Sequence, residues 1–235
     1  MDTLSSDVSK RIDTLKKIYS IYDVFASKME TSCKPKCAVC CTRNVAVTSI
    51  EGQFILEYIS DNKLKLDLEP EMFEFGRKRF HPKFTTNGLA SLCANGKDIP
   101  EETMDSEWGK CPFLSGDLCE IYSARPFGCR GMVSKEKCSV NAYAVMDEFS
   151  LTVNNLLMQC IEHMDANGAS GNLIDMLFFL GKDKTGSKYK SEGFDIENTR
   201  LIRNQPAKTF LVPPEHKYAI GPIFAEIGGV LSGAH

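Results

Sequence analysis

Apolar residues recur near the start of the chain at alternating steps of four and three: Val8, Ile12, Leu15, Tyr19, Tyr22, Ala26 and Met29. That spacing lines one face of an α-helix, and Ser6 or Asp7 can cap its start. The stripe predicts a helix packed on a core. It is short for a coiled coil, and no consistent charge pattern flanks it. Residues 42–47 allow a brief strand. Thr48-Ser49-Ile50-Glu51 fits a capping box, in which Glu51 reaches back over the helix start. The helix it opens should run through Phe54, Ile55, Tyr58 and Ile59 to Asp61-Asn62.

Further along, Pro70 at a first-turn position predicts a helix carrying Phe73, Phe75 and Phe80 to His81-Pro82. Residues 85–110 include Thr85-Thr86-Asn87-Gly88 and Ala94-Asn95-Gly96 and predict a loop-rich excursion. Ser115-Gly116-Asp117 marks a turn between two short extended pieces, and Ser123-Ala124-Arg125-Pro126 a single helical turn stopped by proline. Helical patterns return over 139–165 and 171–182, broken between Gly168 and Gly171. The stretch 183–195 is rich in Lys, Gly and Ser and reads as a surface loop. The tail from Phe210 to His235 is apolar but carries glycine and proline, and its pattern assigns it no role. The fold expected is mainly α: a single domain over 1–235, with a cysteine-rich metal centre in residues 30–140, short irregular or β-like pieces, and a helical C-terminal extension over 141–235.

Composition adds bounds. Of 235 residues, 43% are hydrophobic and 25% charged, the balance of a globular protein with an ordinary core. The net charge of −3 and the pI of about 5.9 argue against a dominant nucleic-acid function. No apolar stretch approaches the roughly eighteen residues of a membrane span. The polar, acidic start Met1-Asp2-Thr3-Leu4-Ser5-Ser6-Asp7 has no leader character, so a cytoplasmic location is expected.

The cysteines change the picture most. Cys33, Cys37, Cys40 and Cys41 lie within nine residues, and Cys111, Cys119, Cys129 and Cys138 follow about seventy residues later. Thiols in a reducing compartment are poor candidates for a disulfide framework. Cys93 and Cys160 stand alone and suit small core residues. The eight grouped cysteines suit soft metal ligands. None of His81, His163, His216 and His235 lies in either group, so an all-thiolate zinc or iron–sulfur centre is expected rather than a hydrolytic zinc site. Adjacent residues diverge, so Cys40 and Cys41 should not both face one metal. Lys34 and Lys36 would offset thiolate charge. Arg125 and Arg130 have two readings: donors to ligand sulfurs or neutralisers of a cluster's charge, or surface partners of Asp117 and Glu120. Tyr122 and Phe127 are expected under the metal loop, and Glu101-Glu102 in solvent.

These residues together resemble the zinc- or iron-chelating cysteine-cluster family often called YkgJ-type proteins, to which flagellin lysine N-methylase belongs. The resemblance covers about residues 30–140. It rests on Cys33, Cys37, Cys40 and Cys41, on Glu51, and on Cys111-Pro112-Phe113-Leu114, Cys119-Glu120-Ile121-Tyr122 and Arg125-Pro126-Phe127-Gly128-Cys129-Arg130. It implies that Cys33, Cys37, Cys40, Cys41, Cys111, Cys119 and Cys129 are the functional cysteines, with Cys138 an eighth. It also implies an alternative activity, methyl transfer from S-adenosylmethionine to a protein lysine. No strand followed by a Gly-x-Gly loop supports that cofactor; Gly228-Gly229-Val230-Leu231-Ser232 carries glycines but lies at the end of the sequence. A third expectation is a metal carrier or sensor that passes its metal to a protein partner.

Overall fold

The structure is a computed structural model. It describes residues 2–64, 78–103, 105, 108–141, 143–181, 196–197 and 199–232. The chain is mainly α-helical. Helix α1 spans Asp2–Ala26, so Ser6 and Asp7 lie inside it rather than capping its start, and its stripe is buried as the spacing requires: Ile12, Leu15, Tyr19 and Tyr22 are each at most 3% exposed. Met29 lies beyond the helix end. Strand β1 (Ala46–Thr48) leads directly into α2 (Ser49–Asp61). Helix α3 (Thr86–Ala94) follows, then the β2–β3 hairpin (Leu114–Ser115, Leu118–Cys119), α4 (Phe127–Arg130) and α5 (Cys138–Asn141). The remainder comprises α6 (Glu148–Met164), β4 (Ala169–Asn172), α7 (Leu173–Gly181), β5 (Ile202–Arg203) and α8 (Lys217–Ser232).

Helices α1, α2, α6 and α7 supply most of one apolar cluster, to which α8 adds Ile220 and Ile227. A small antiparallel sheet of order β1–β4–β5 sits among them, with Val47 opposite Gly171 and Ser170 opposite Ile202. Helices α2 and α7 approach closely at Gly52. A Cβ there would lie 2.8 Å from Met176 Cγ and 2.9 Å from Leu180 Cδ1. No helix among the described residues is long and apolar enough to cross a membrane.

Buried carboxylates tie these elements together. Asp165, fully buried, accepts from the Ser49 hydroxyl at 2.6 Å and the Ile50 N–H at 3.1 Å, so it serves the first turn of α2 from another helix end. Arg11 pairs with its other oxygen at 2.6 Å. Glu162 accepts the N–H groups of Asn87 at 2.7 Å and Gln205 at 2.8 Å, joining α3, α6 and the 205 segment. Burial raises the Glu162 carboxyl above the ordinary range, against the lowering effect of those donors.

Several expectations are corrected. Within 85–110 a helix forms: the Thr85 hydroxyl caps α3 by accepting the Gly88 N–H at 3.0 Å, and Asn87 is drawn into the Glu162 network. Tertiary partners there outweigh the turn preference of Asn-Gly. Most of the helix expected from Pro70 falls outside the described residues, and its described end, residues 78–82, is non-helical. The helix expected over 139–165 is interrupted before Asp147, whose side chain caps α6 by accepting the Ser150 N–H at 2.8 Å. Gly168 to Gly171 is no mere break, because residues 169–172 form the central strand β4. The loop expected over 183–195 lies outside the described residues. The tail forms α8.

Candidate metal centre

Two backbone pairings join the cysteine groups. The Cys111 N–H donates to the Cys41 carbonyl at 3.0 Å, and the Arg43 N–H to the Gly109 carbonyl at 3.1 Å, with Thr42 and Lys110 facing as an antiparallel bridge. Residues 31–33 make a second pairing with residues 134–135. The Ser32 N–H reaches the Ser134 carbonyl at 2.8 Å, and the Ser134 N–H donates to the Cys33 sulfur at 3.4 Å. Cys33 is thereby held against Ser134, which lies four residues upstream of buried Cys138 at the start of α5.

The remaining cysteines are placed by tight turns. In the β2–β3 hairpin Leu114 faces Cys119 across a turn in which Gly116 has φ +61°, a conformation that glycine adopts without steric cost. The Cys37 N–H closes a turn onto the Lys34 carbonyl at 3.0 Å, with Pro35 second and Lys36 third at φ +68°. That arrangement matches a type II turn, whose third position usually takes glycine. Cys129 rides on α4, whose first N–H (Phe127) donates to Glu51 Oε1 at 2.7 Å.

Glu51 is the anchor behind the thiols. Its Oε2 accepts the Thr48 N–H and hydroxyl, each at 2.9 Å, and its Oε1 also accepts the Tyr19 hydroxyl at 2.8 Å. The expected reach back over the helix start is present, while the Thr48 hydroxyl itself donates to Glu51. The same carboxylate thus joins α1, α2 and the helix of Cys129. The capping-box spacing identified Glu51 but carried no sign of its contacts to Tyr19 and Phe127.

Cys40, Cys41, Cys111, Cys119 and Cys129 share one electrostatic neighbourhood. Burial is the main cause raising the Cys129 thiol well above its ordinary value, followed by the negative charge of Cys111, Cys119, Cys40 and Glu51. Burial pushes Cys111 up to about 11, against Phe113 N–H donation and the Arg43 charge, both of which lower it. Cys119 is raised by burial and lowered by Arg125. Cys40 donates to the Cys41 sulfur, which raises Cys40 and lowers Cys41. The two adjacent thiols thus lie within hydrogen-bond reach of each other, whereas their side chains were expected to diverge. Cys33 and Cys37 are exposed, and Cys37 borders a cleft of about 510 Å³ that Cys41 also lines.

Sulfur donors in this number and neighbourhood fit a soft metal or a cluster, whose positive charge would reverse the mutual repulsion of the thiolates. Among the described residues, however, no three Cys, His, Asp or Glu side chains converge as a ready-made ligand group. The folded chain brings the thiol-bearing segments together without drawing their sulfurs onto one point.

Neither arginine donates to a sulfur or pairs with Asp117 or Glu120, although the charge of Arg125 acts on Cys119. Arg130 is buried, pairs with Asp23 of α1 at 3.1 Å, donates to the Ser123 carbonyl at 2.7 Å and lies 4.3 Å from the Tyr19 ring centre. Arg125 stacks on Tyr122 at 3.8 Å and donates to its carbonyl. Phe127 is buried against Tyr19 and Tyr22 of α1, whereas Tyr122 is 61% exposed. Glu102 accepts the Lys83 N–H at 2.5 Å, while Glu101 is exposed. Cys160 is buried, and burial raises its thiol to about 12, in keeping with a core residue. Gly228 and Gly229 lie inside α8.

No family model, no curated protein and no solved structure matches the chain.

Proposed function

We propose that the chain is a metal-binding protein whose zinc or iron–sulfur centre is held by cysteine thiolates and serves a structural or redox role. The observation that carries this reading is the antiparallel pairing of residues 41–43 with 109–111. It sets Cys40 and Cys41 among Cys111, Cys119 and Cys129 although the groups are far apart in sequence. Cys33, Cys37 and Cys138 complete the donor set at its edge, with Cys33 and Cys138 approached through the 31–33 and 134–135 pairing. When bound, the metal would supply the positive charge these thiols lack, and its uptake would release their protons. The chain's own residues hold the segments in place: Glu51 anchors α4, and Arg130 anchors the end of α4 to α1.

The test is the metal and acid-labile sulfide content of protein purified without air, with its visible spectrum. Iron with sulfide identifies a cluster, and zinc without sulfide a structural site. Cys111→Ser and Cys129→Ser should each lower the metal content, while Cys93→Ser should leave it intact. Full metal content in both ligand variants overturns the proposal.

A second reading has its own observation. Cys33, Cys37 and Cys40 are exposed, and the cleft beside Cys41 is open, which suits a carrier or sensor that exchanges its metal with a partner. Such a site should give up metal to a chelator within seconds while the helices stay folded. A structural site should release it only as the protein unfolds.

A further inference from the structure

The cleft of about 510 Å³ beside Cys41 carries charges of both signs, of which the metal reading uses only Lys36, as an offset to thiolate charge. Lys36 and Lys110 line it together with Asp117, and Ala38 and Val39 supply an apolar wall. Among the described residues none of the three charged groups is in an ion pair. The backbone is unusual at one of the two cations and next to the other. Lys36 itself occupies the left-handed region at φ +68°, and Lys110 follows Gly109 at φ +113°. A lysine held in that region costs energy that glycine would not, so the side chain is maintained there against local preference. Val39, 48% exposed, leaves an apolar surface open to water within the same cleft.

We propose that this cleft is a binding site for a small zwitterion, an amino acid or short peptide with a free carboxylate and a free ammonium group. The two lysines receive the carboxylate, Asp117 receives the ammonium, and Ala38 and Val39 meet the aliphatic body. Volumes of this order hold small organic ligands. Two cations set against one carboxylate suit a molecule with both charges better than a polyphosphate, whose excess charge Asp117 would repel. The site goes beyond metal binding and stands whether or not the thiols hold a metal.

The experiment is calorimetric titration of the full chain with tri-alanine, which has both termini free and no thiol to ligate metal. Saturable binding is expected. The C-terminally amidated and N-acetylated peptides should each bind about tenfold more weakly, as expected for loss of one charge-assisted contact. Lys36→Gly combined with Lys110→Ala should weaken tri-alanine by a similar factor and erase the penalty for amidation. Asp117→Asn should erase the penalty for acetylation. Glycine suits the φ of position 36, so the turn survives in the double variant. Absence of binding heat from tri-alanine, equal affinity for the capped peptides, or variants that bind like the parent protein each overturn the proposal. Metal content measured on the same samples separates the two readings: peptide binding by a chain that holds no metal overturns the metal centre alone, and metal retention without peptide binding overturns this site alone.

Discussion

The helical core and the cysteine-bearing surface treat their polar groups in opposite ways. In the core, Glu51, Asp165 and Glu162 are buried and spend their oxygens on backbone N–H groups and hydroxyls at element starts, each joining segments distant in sequence. Unpaired, such carboxylates would be costly to bury, and here partners from several elements satisfy them. On the cysteine face a few backbone pairings hold the segments, yet the sulfurs have weak partners, chiefly one another and single N–H groups. The first region is finished by the chain itself. The second is arranged by the chain and, on the reading proposed here, finished by a metal.

The sharpest way to break this contrast is Glu51→Ala. It strands the donors of Tyr19, Thr48 and Phe127, and a loss of about 3–5 kcal/mol is expected in urea unfolding, as for removal of one partner from a buried charged network. A loss below about 1 kcal/mol would mean that water replaces the carboxylate and that the core is less complete than its hydrogen bonds indicate. Next is Gly52→Ala. The new methyl meets Met176 and Leu180 at 2.8 and 2.9 Å, and overpacking between α2 and α7 should cost about 1–3 kcal/mol by the same measurement.

Asp147 lies between the two regions and offers a pH test. Desolvation pushes its carboxyl upward, but the Ser150 N–H and hydroxyl and Lys135 bring it down to about 2. A carboxylate lowered by folding stabilises the native state above its unfolded value, near pH 3.8, and loses that contribution as pH falls toward 2. Asp147→Ala should cost about 1 kcal/mol at neutral pH through loss of the α6 cap. It should also flatten the acid limb of the stability profile, and an unchanged limb would reject this assignment. The smallest effect is expected from Cys37→Ser. In protein stripped of metal it should shift stability by less than about 0.5 kcal/mol, because Cys37 is exposed. A markedly larger loss in the metal-loaded protein would place Cys37 among the ligands, and equal small shifts in both states would remove it from them.

The stripe in α1 and the Thr48–Glu51 box were legible because each is a local rule, set by helical period and by the unpaired N–H groups of a first turn. Helix α3 was hidden because Thr85-Thr86-Asn87-Gly88 reads as a turn until Glu162 and Gln159 are seen to engage Asn87. Strand β4 was hidden for a related reason. Ala169-Ser170-Gly171-Asn172 has little strand character, and its neighbours β1 and β5 supply the pairing. Arg130 shows the same limit at the candidate site. Its nearby acids in sequence are Asp117 and Glu120, but its partner is Asp23 on the first helix.

The sequence alone determined a mainly helical chain, the buried stripe of α1 and the start of α2, and the division of the cysteines into two groups with two left over. These follow from spacing, and spacing is local. Only the tertiary structure decided that residues 41–43 would pair with 109–111, that Glu51 would support the helix of Cys129, and that Lys36, Lys110 and Asp117 would share one cleft. Those are meetings between distant segments. They are set by which buried groups can satisfy one another once the core has closed, and no short stretch of residues records that.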